Sequence, residues 1–142
     1  MSTSSNDQTD TCSFTLAFYN AEADPGTVSK ALGLEATKEW RRGDIRRFPS
    51  GREHKQEWSG WRMTSALDLR AATFESELDR YVHEVIQPRV MSIQFLNESG
   101  WEMCLELYLD FAENFHFKLP PMLHVLLGEC SASLEFHLFS DS

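Results

Sequence analysis

Glu106, Glu135 and His137 are the side chains whose types suit acid–base chemistry. Two carboxyls can serve as acid and base, with an imidazole as proton shuttle, if folding brings them within hydrogen-bond reach. Both stretches that hold them alternate. In WEMCLELYLDF, Glu102, Cys104, Glu106, Tyr108 and Asp110 alternate with apolar residues. In ASLEFHLF, Glu135 and His137 alternate with Leu134, Phe136 and Leu138. If the two strands share a sheet, Glu102, Glu106, Tyr108, Asp110, Glu135 and His137 lie on one face, and Tyr19, Arg62 and Thr64 can join them. No nucleophile–base–orienter set is spelled out, so no residue is assigned as catalytic. The same six residues suit an acidic docking surface with aromatic anchors, and they are the expected partner-binding set.

A second group lies in EWRRGDIRRFPSGREHKQEWSGW, residues 39–61, which holds three of the four tryptophans. Arg42, Arg46 and Arg47, with Trp58 beside them, could clamp a phosphate or carboxylate, because guanidinium presents a planar fork of donors. A solvated loop paired with the acidic remainder is the plainer account. Trp40 and Trp61 are expected to point inward and to staple this segment to the core.

Charge narrows the choice. The formal net charge is −9, but residues 38–70 hold nine basic and five acidic residues, a local +4, against −13 elsewhere. An acidic chain is a poor general nucleic-acid binder, since phosphate neutralisation drives that binding. His54, His83, His116, His124 and His137 are scattered, and Cys12, Cys104 and Cys130 form no CxxC pair. No metal, cofactor or disulfide framework is expected. No secretory leader and no apolar run long enough to span a membrane is visible, which points to the cytoplasm. Arg42-Gly43-Asp44 and Asn97-Glu98-Ser99 match extracellular motifs in a chain with no other extracellular sign, and are read as coincidence.

The elements that must position these residues follow from periodicity. SFTLAFYN reads as a strand with Phe14, Leu16 and Phe18 inward. DPGTVSKALGL reads as a helix over residues 25–33, capped by Asp24, started by Pro25 and closed by Gly33. A strand follows over residues 37–41. A loop then runs through Gly43-Asp44 and Pro49-Ser50-Gly51, and a strand over residues 58–69 faces Trp61, Met63, Ser65 and Leu67 one way. The longest helix spans residues 73–97, with a kink or break at Pro88. After the WEMCLELYLDF strand, PPMLHVLLG predicts a short helix ending at Gly128, and ASLEFHLF a final strand. Residues 1–11 read as a disordered tail and residues 12–142 as one domain. The expected fold class is α+β. A mostly antiparallel sheet carries helices on one face, in a ferredoxin-like βαββαβ order followed by an extra αβ unit.

The segments ALGLEATKEWRRGD and SGWRMTSAL resemble a bacterial family called Domain of Unknown Function 4279. The likeness lies in Leu32-Gly33-Leu34, in Thr37, Trp40, Gly43 and Asp44, and in Gly60-Trp61. LPPMLHVLLGECSASLEFHLF is similar to the family's C-terminal unit, and the resemblance spans residues 13–139. Ala36 stands where the family commonly has proline. The resemblance implies a fold type and carries no established activity. The expected function is a small cytosolic protein-binding module, in its most concrete form an immunity-type inhibitor masking a basic toxin or effector. The rival is an anion- or metabolite-sensing domain using the arginine–tryptophan segment. A third reading is an enzyme using Glu106, Glu135 and His137. A homodimer through an exposed strand edge is open but not implied.

Overall fold

The structure, a computed structural model, describes residues 11–67, 73–110 and 117–139. It is a mixed α+β fold built on a mostly antiparallel five-stranded sheet, with a small two-stranded sheet beside it. The strands are β1 (Thr11–Asn20), β2 (Lys38–Trp40), β3 (Ile45–Arg47), β4 (Glu53–Lys55), β5 (Ser59–Leu67), β6 (Glu102–Asp110) and β7 (Ser133–Phe139). The large sheet runs β2-β5-β1-β6-β7, and β3 pairs with β4. All pairings are antiparallel except β6 with β7. That parallel pair needs a crossover, and α4 (Pro121–Glu129) lies in it.

Alternation decides which side is core. Phe14, Leu16 and Phe18 of β1 lie opposite Ser65, Met63 and Trp61 of β5 and opposite Leu107, Leu105 and Met103 of β6. All of these except Ser65 pack with Val28 and Leu32 of α1 (Gly26–Leu32), Leu78 and Tyr81 of α2 (Phe74–Tyr81), Ile93 and Leu96 of α3 (Val90–Glu98) and Leu123 and Leu126 of α4. Phe14 meets Phe74 and Tyr81 edge-on at 5.8 and 5.1 Å. Trp61 is fully buried and donates its indole N–H to Ser29 Oγ at 2.9 Å. A large ring with a satisfied polar handle joins β5 to α1.

Pro88 breaks the long helix as expected, and the surrounding chain adapts. α2 passes into a π turn over Val82–Ile86 and a 3-10 turn over Gln87–Arg89 before α3 begins. Proline has no N–H for the carbonyl of Glu84, four residues back. The Arg89 side chain serves that region instead. Its Nη1 donates to Glu84 O at 3.3 Å and Val85 O at 2.9 Å, and its Nε to Leu32 O at 2.9 Å, at the end of α1. Gly33 follows in the left-handed region, with φ 69°, as a helix-closing glycine should.

Several expectations need correction. Trp40 does not point into the core. It lies on the opposite face of the sheet, across from Gly60 and near Tyr19, with its indole N–H buried and unpartnered among the described residues. A Cβ on Gly60 would fall inside the Trp40 ring. The segment expected to be a loop contains the β3–β4 hairpin, turned through Phe48 and Gly51. Gly128 sits inside α4. Phe136 and Leu138 take the helix side as expected but stay 42% and 71% exposed, because β7 is an edge strand. The tail expected over residues 1–11 lies outside the described residues apart from Thr11, which opens β1; Asp68, Leu69 and His116 also lie outside them. No helix of the described residues is long and apolar enough to cross a membrane.

Two stability predictions follow from this packing. Gly60→Ala should cost about 2 kcal/mol by overpacking, in urea unfolding, and much less when Trp40→Ala is also present. Arg89→Ala should cost about 1–3 kcal/mol by orphaning helix carbonyls, with Arg89→Lys recovering only part of it.

Candidate functional site

The outer face of the sheet is where alternation sends the polar residues of four strands. Thr15, Ala17 and Tyr19 of β1, Arg62 and Thr64 of β5, Cys104, Glu106 and Tyr108 of β6, and Glu135 and His137 of β7 share it. Its centre is one ion pair. Arg62 Nη1 and Nη2 donate to Glu106 Oε2 and Oε1, both at 2.9 Å. Tyr108 donates its hydroxyl to Glu106 Oε1 at 2.6 Å, and Arg62 Nη1 donates to the Tyr19 oxygen at 2.6 Å. Glu106 is 5% exposed. Thr15 and Thr64 hydrogen-bond beside this cluster at 2.8 Å.

The charges are fixed by this geometry. Burial works to raise the Glu106 carboxyl pKa. Hydrogen bonds from Arg62 and Tyr108 and the positive charge of Arg62 outweigh it, so the pKa lies below its ordinary value. Burial likewise opposes the Arg62 charge, and Glu106 more than restores it. Cys104 Sγ is 3.1 Å from Glu135 Oε2, as a thiol donor. Burial, and that carboxylate, push the Cys104 thiol up to about 12, so it is no thiolate nucleophile. Cys12 and Cys130 are also buried and pushed up to about 11, chiefly by desolvation.

Glu106, Glu135 and His137 are brought together. His137 Nε2 lies 3.6 Å from Glu106 Oε1 and 3.7 Å from Glu135 Oε1, and its ring stacks on Tyr108 at 4.4 Å. A carboxylate already bidentate to arginine is poorly placed as a proton acceptor and cannot donate, since it stays ionised. Cys104, Glu106 and Glu135 also offer ligand atoms within 4.8 Å of one another. Arg62 occupies both Glu106 oxygens, and a guanidinium there opposes a second cation.

Glu102 and Glu135 lie at the rim. With Tyr19, Trp58 and Gly100 they line an open pocket of about 600 Å³. Trp58 is 49% exposed. Asp110 closes the far end of β6, opposite Thr11. The arginine–tryptophan group is not assembled. Trp58 faces the acidic pocket, whereas Arg42 lines a separate hollow with Lys55 and Gln56. Arg42 reaches Glu22 at 3.7 Å, Arg47 pairs with Glu53 at 3.1 Å, and Arg46 lies over the Phe48 ring at 5.0 Å. Sequence reasoning placed Arg62 on this face but missed that it is the centre. The one available signal was a lone arginine in the Gly60-Arg62-Thr64 alternation, on the side that β6 fills with acids.

Removing one partner of the central pair should be costly. Arg62→Met strands a buried carboxylate and should lose about 3 kcal/mol, while Glu106→Gln, which keeps the shape, should lose less. The pH dependence has a defined sign. Glu106 has a lower pKa folded than unfolded, so its contribution is present above the unfolded value of about 4.3 and is lost as pH falls through the folded value. The stability gap between wild type and Glu106→Gln, from urea midpoints, should therefore be constant near neutrality and narrow in acid.

No curated protein and no solved structure gives a match to the chain. A family match does exist, over residues 10–141 and described as Domain of unknown function (DUF4279). That span takes in every strand and helix described above, including the central ion pair and the rim pocket. The chain belongs to this family.

Proposed function

We propose that this is a cytoplasmic protein-binding module that docks a basic partner on the outer face of its sheet, in its most concrete form an immunity-type inhibitor of a toxin or effector. The observation that carries the reading is the rim pocket, where Tyr19 and Trp58 wall a space flanked by Glu102 and Glu135. Aromatic faces beside exposed carboxylates suit a lysine or arginine side chain, through cation–π contact and charge. The central ion pair satisfies itself, so a partner meets a neutral, rigid floor and an acidic rim. A net charge of −9 adds long-range attraction for a basic protein, which raises association rate. In the same reading the sheet is a ferredoxin-like core followed by an αβ unit. The order β2-β5-β1-β6-β7 supports this when β3–β4 is taken as an excursion between β2 and β5.

The rival, anion sensing by the hairpin, would draw on Arg42 and Lys55 around their hollow. It has less support, since Arg46 and Arg47 are engaged with Phe48 and Glu53.

Affinity capture from the native cells at moderate salt tests the docking reading. One basic protein should be retained stoichiometrically. Glu102→Lys and Glu135→Lys should each weaken its binding tenfold or more, and Arg46→Ala should leave it unchanged. Failure to retain any partner more tightly than micromolar would sink the proposal.

A further inference from the structure

We propose that β7 pairs, edge to edge and antiparallel, with β7 of a second copy of this chain, about a two-fold axis at Phe136. One edge of β7 is bonded to β6, and the other meets no strand among the described residues. A free edge presents a row of unpaired N–H and C=O groups ready to bond another strand. The helix side of this edge also carries Phe136 and Leu138, two apolar side chains that stay 42% and 71% exposed, with the Phe136 ring 6.0 Å from that of Phe117. Both features call for a neighbour, and the sequence of β7 says which.

Opposed residues in an antiparallel pair must share a face, so the register can change only in steps of two. Three two-fold registers keep most of β7 paired. Centring on Glu135 sets that carboxylate against its own copy, and like charges directly opposite destabilise. Centring on His137 sets imidazole against imidazole and leaves Glu135 opposite the apolar Phe139. Centring on Phe136 overlaps the whole strand. It places Glu135 opposite His137 twice on the outer face, Leu134 opposite Leu138 twice on the helix side, and Phe136 opposite itself. The stretch Leu134-Glu135-Phe136-His137-Leu138 is thus self-complementary in this one register. Glu135 and His137 keep 56% and 35% of their side-chain surface free, while the buried Nε2 of His137 faces Glu106 and Glu135 of its own chain. A two-fold contact of this kind closes on itself and gives a dimer with one continuous sheet across both copies.

Sedimentation velocity on the full chain across the micromolar range tests this independently of the docking reading, because Leu138 and Phe136 are not on the docking face. Wild type should sediment as a dimer. Leu138→Lys should sediment as a monomer that keeps the wild-type circular-dichroism spectrum, since that side chain is 71% exposed in the single chain, with an unfolding midpoint lowered only by the lost dimerisation. A cysteine at the axis gives a positive readout. Directly opposed residues have Cβ atoms about 5 Å apart, so Phe136→Cys should form an intermolecular disulfide under mild oxidation. Leu134→Cys or Leu138→Cys alone should not, but a mixture of the two should. The buried native cysteines make the unsubstituted chain the silent control. A monomeric wild type, a dimer that survives Leu138→Lys, or cross-linking that ignores this register would each overturn the proposal.

Discussion

The bidentate pair between Arg62 and Glu106 is the constraint around which the outer face is arranged. A carboxylate 5% exposed in the middle of a sheet is tolerable only with its lone pairs filled and its charge matched. Arg62 supplies two hydrogen bonds and the countercharge, and Tyr108 a third donor. Tyr19 takes up one of the remaining guanidinium hydrogens. These partners come from β5, β1 and β6, so the pair can form only when the three central strands are in register. A one-residue slip would send Arg62 to the apolar side and leave Glu106 alone. The polar network therefore penalises wrong registers over and above the hydrophobic face.

The other face works by area and shape. Inward residues of β1, β5 and β6 meet apolar stripes from the helices, and no charge is buried there among the described residues. The long helical segment is interrupted at Pro88 by a π turn and a 3-10 turn. Arg89 then satisfies carbonyls near the break and also holds the end of α1. The two basic residues do comparable work on opposite sides of the sheet. Each lets the backbone or a side chain keep a polar group in a place where water is scarce.

How much of this was legible depended on range. Period-two alternation identified β1, β5, β6 and β7 and the correct face for nearly every residue on them, since parity within a long strand is local information. It failed for Trp40 because a three-residue strand has no internal pattern to set its parity. Only pairing with Gly60, twenty residues away, decides it. The β3–β4 hairpin escaped because Ile45-Arg46-Arg47 and Glu53-His54-Lys55 show no apolar alternation, and their pairing rests on the turn between them. Phe136 and Leu138 were assigned the right side and the wrong exposure, because position within the sheet is a property of topology. In the candidate site, the company of Glu106, Glu135 and His137 could be read from parity. The commitment of Glu106 to Arg62 could not, since it depends on β1 lying between β5 and β6.

The separation between centre and rim on the outer face has a further meaning. Arg62, Glu106, Tyr19 and Tyr108 are interlocked, so changing any one alters the needs of the others. Glu102 and Trp58 stand in solvent at the border, where substitutions seldom disturb stability by much. Such a surface can drift rapidly in what it recognises while its foundation stays unchanged. A lineage could exchange the rim residues one at a time, each intermediate still folded, and so follow a changing counterpart without rebuilding the protein.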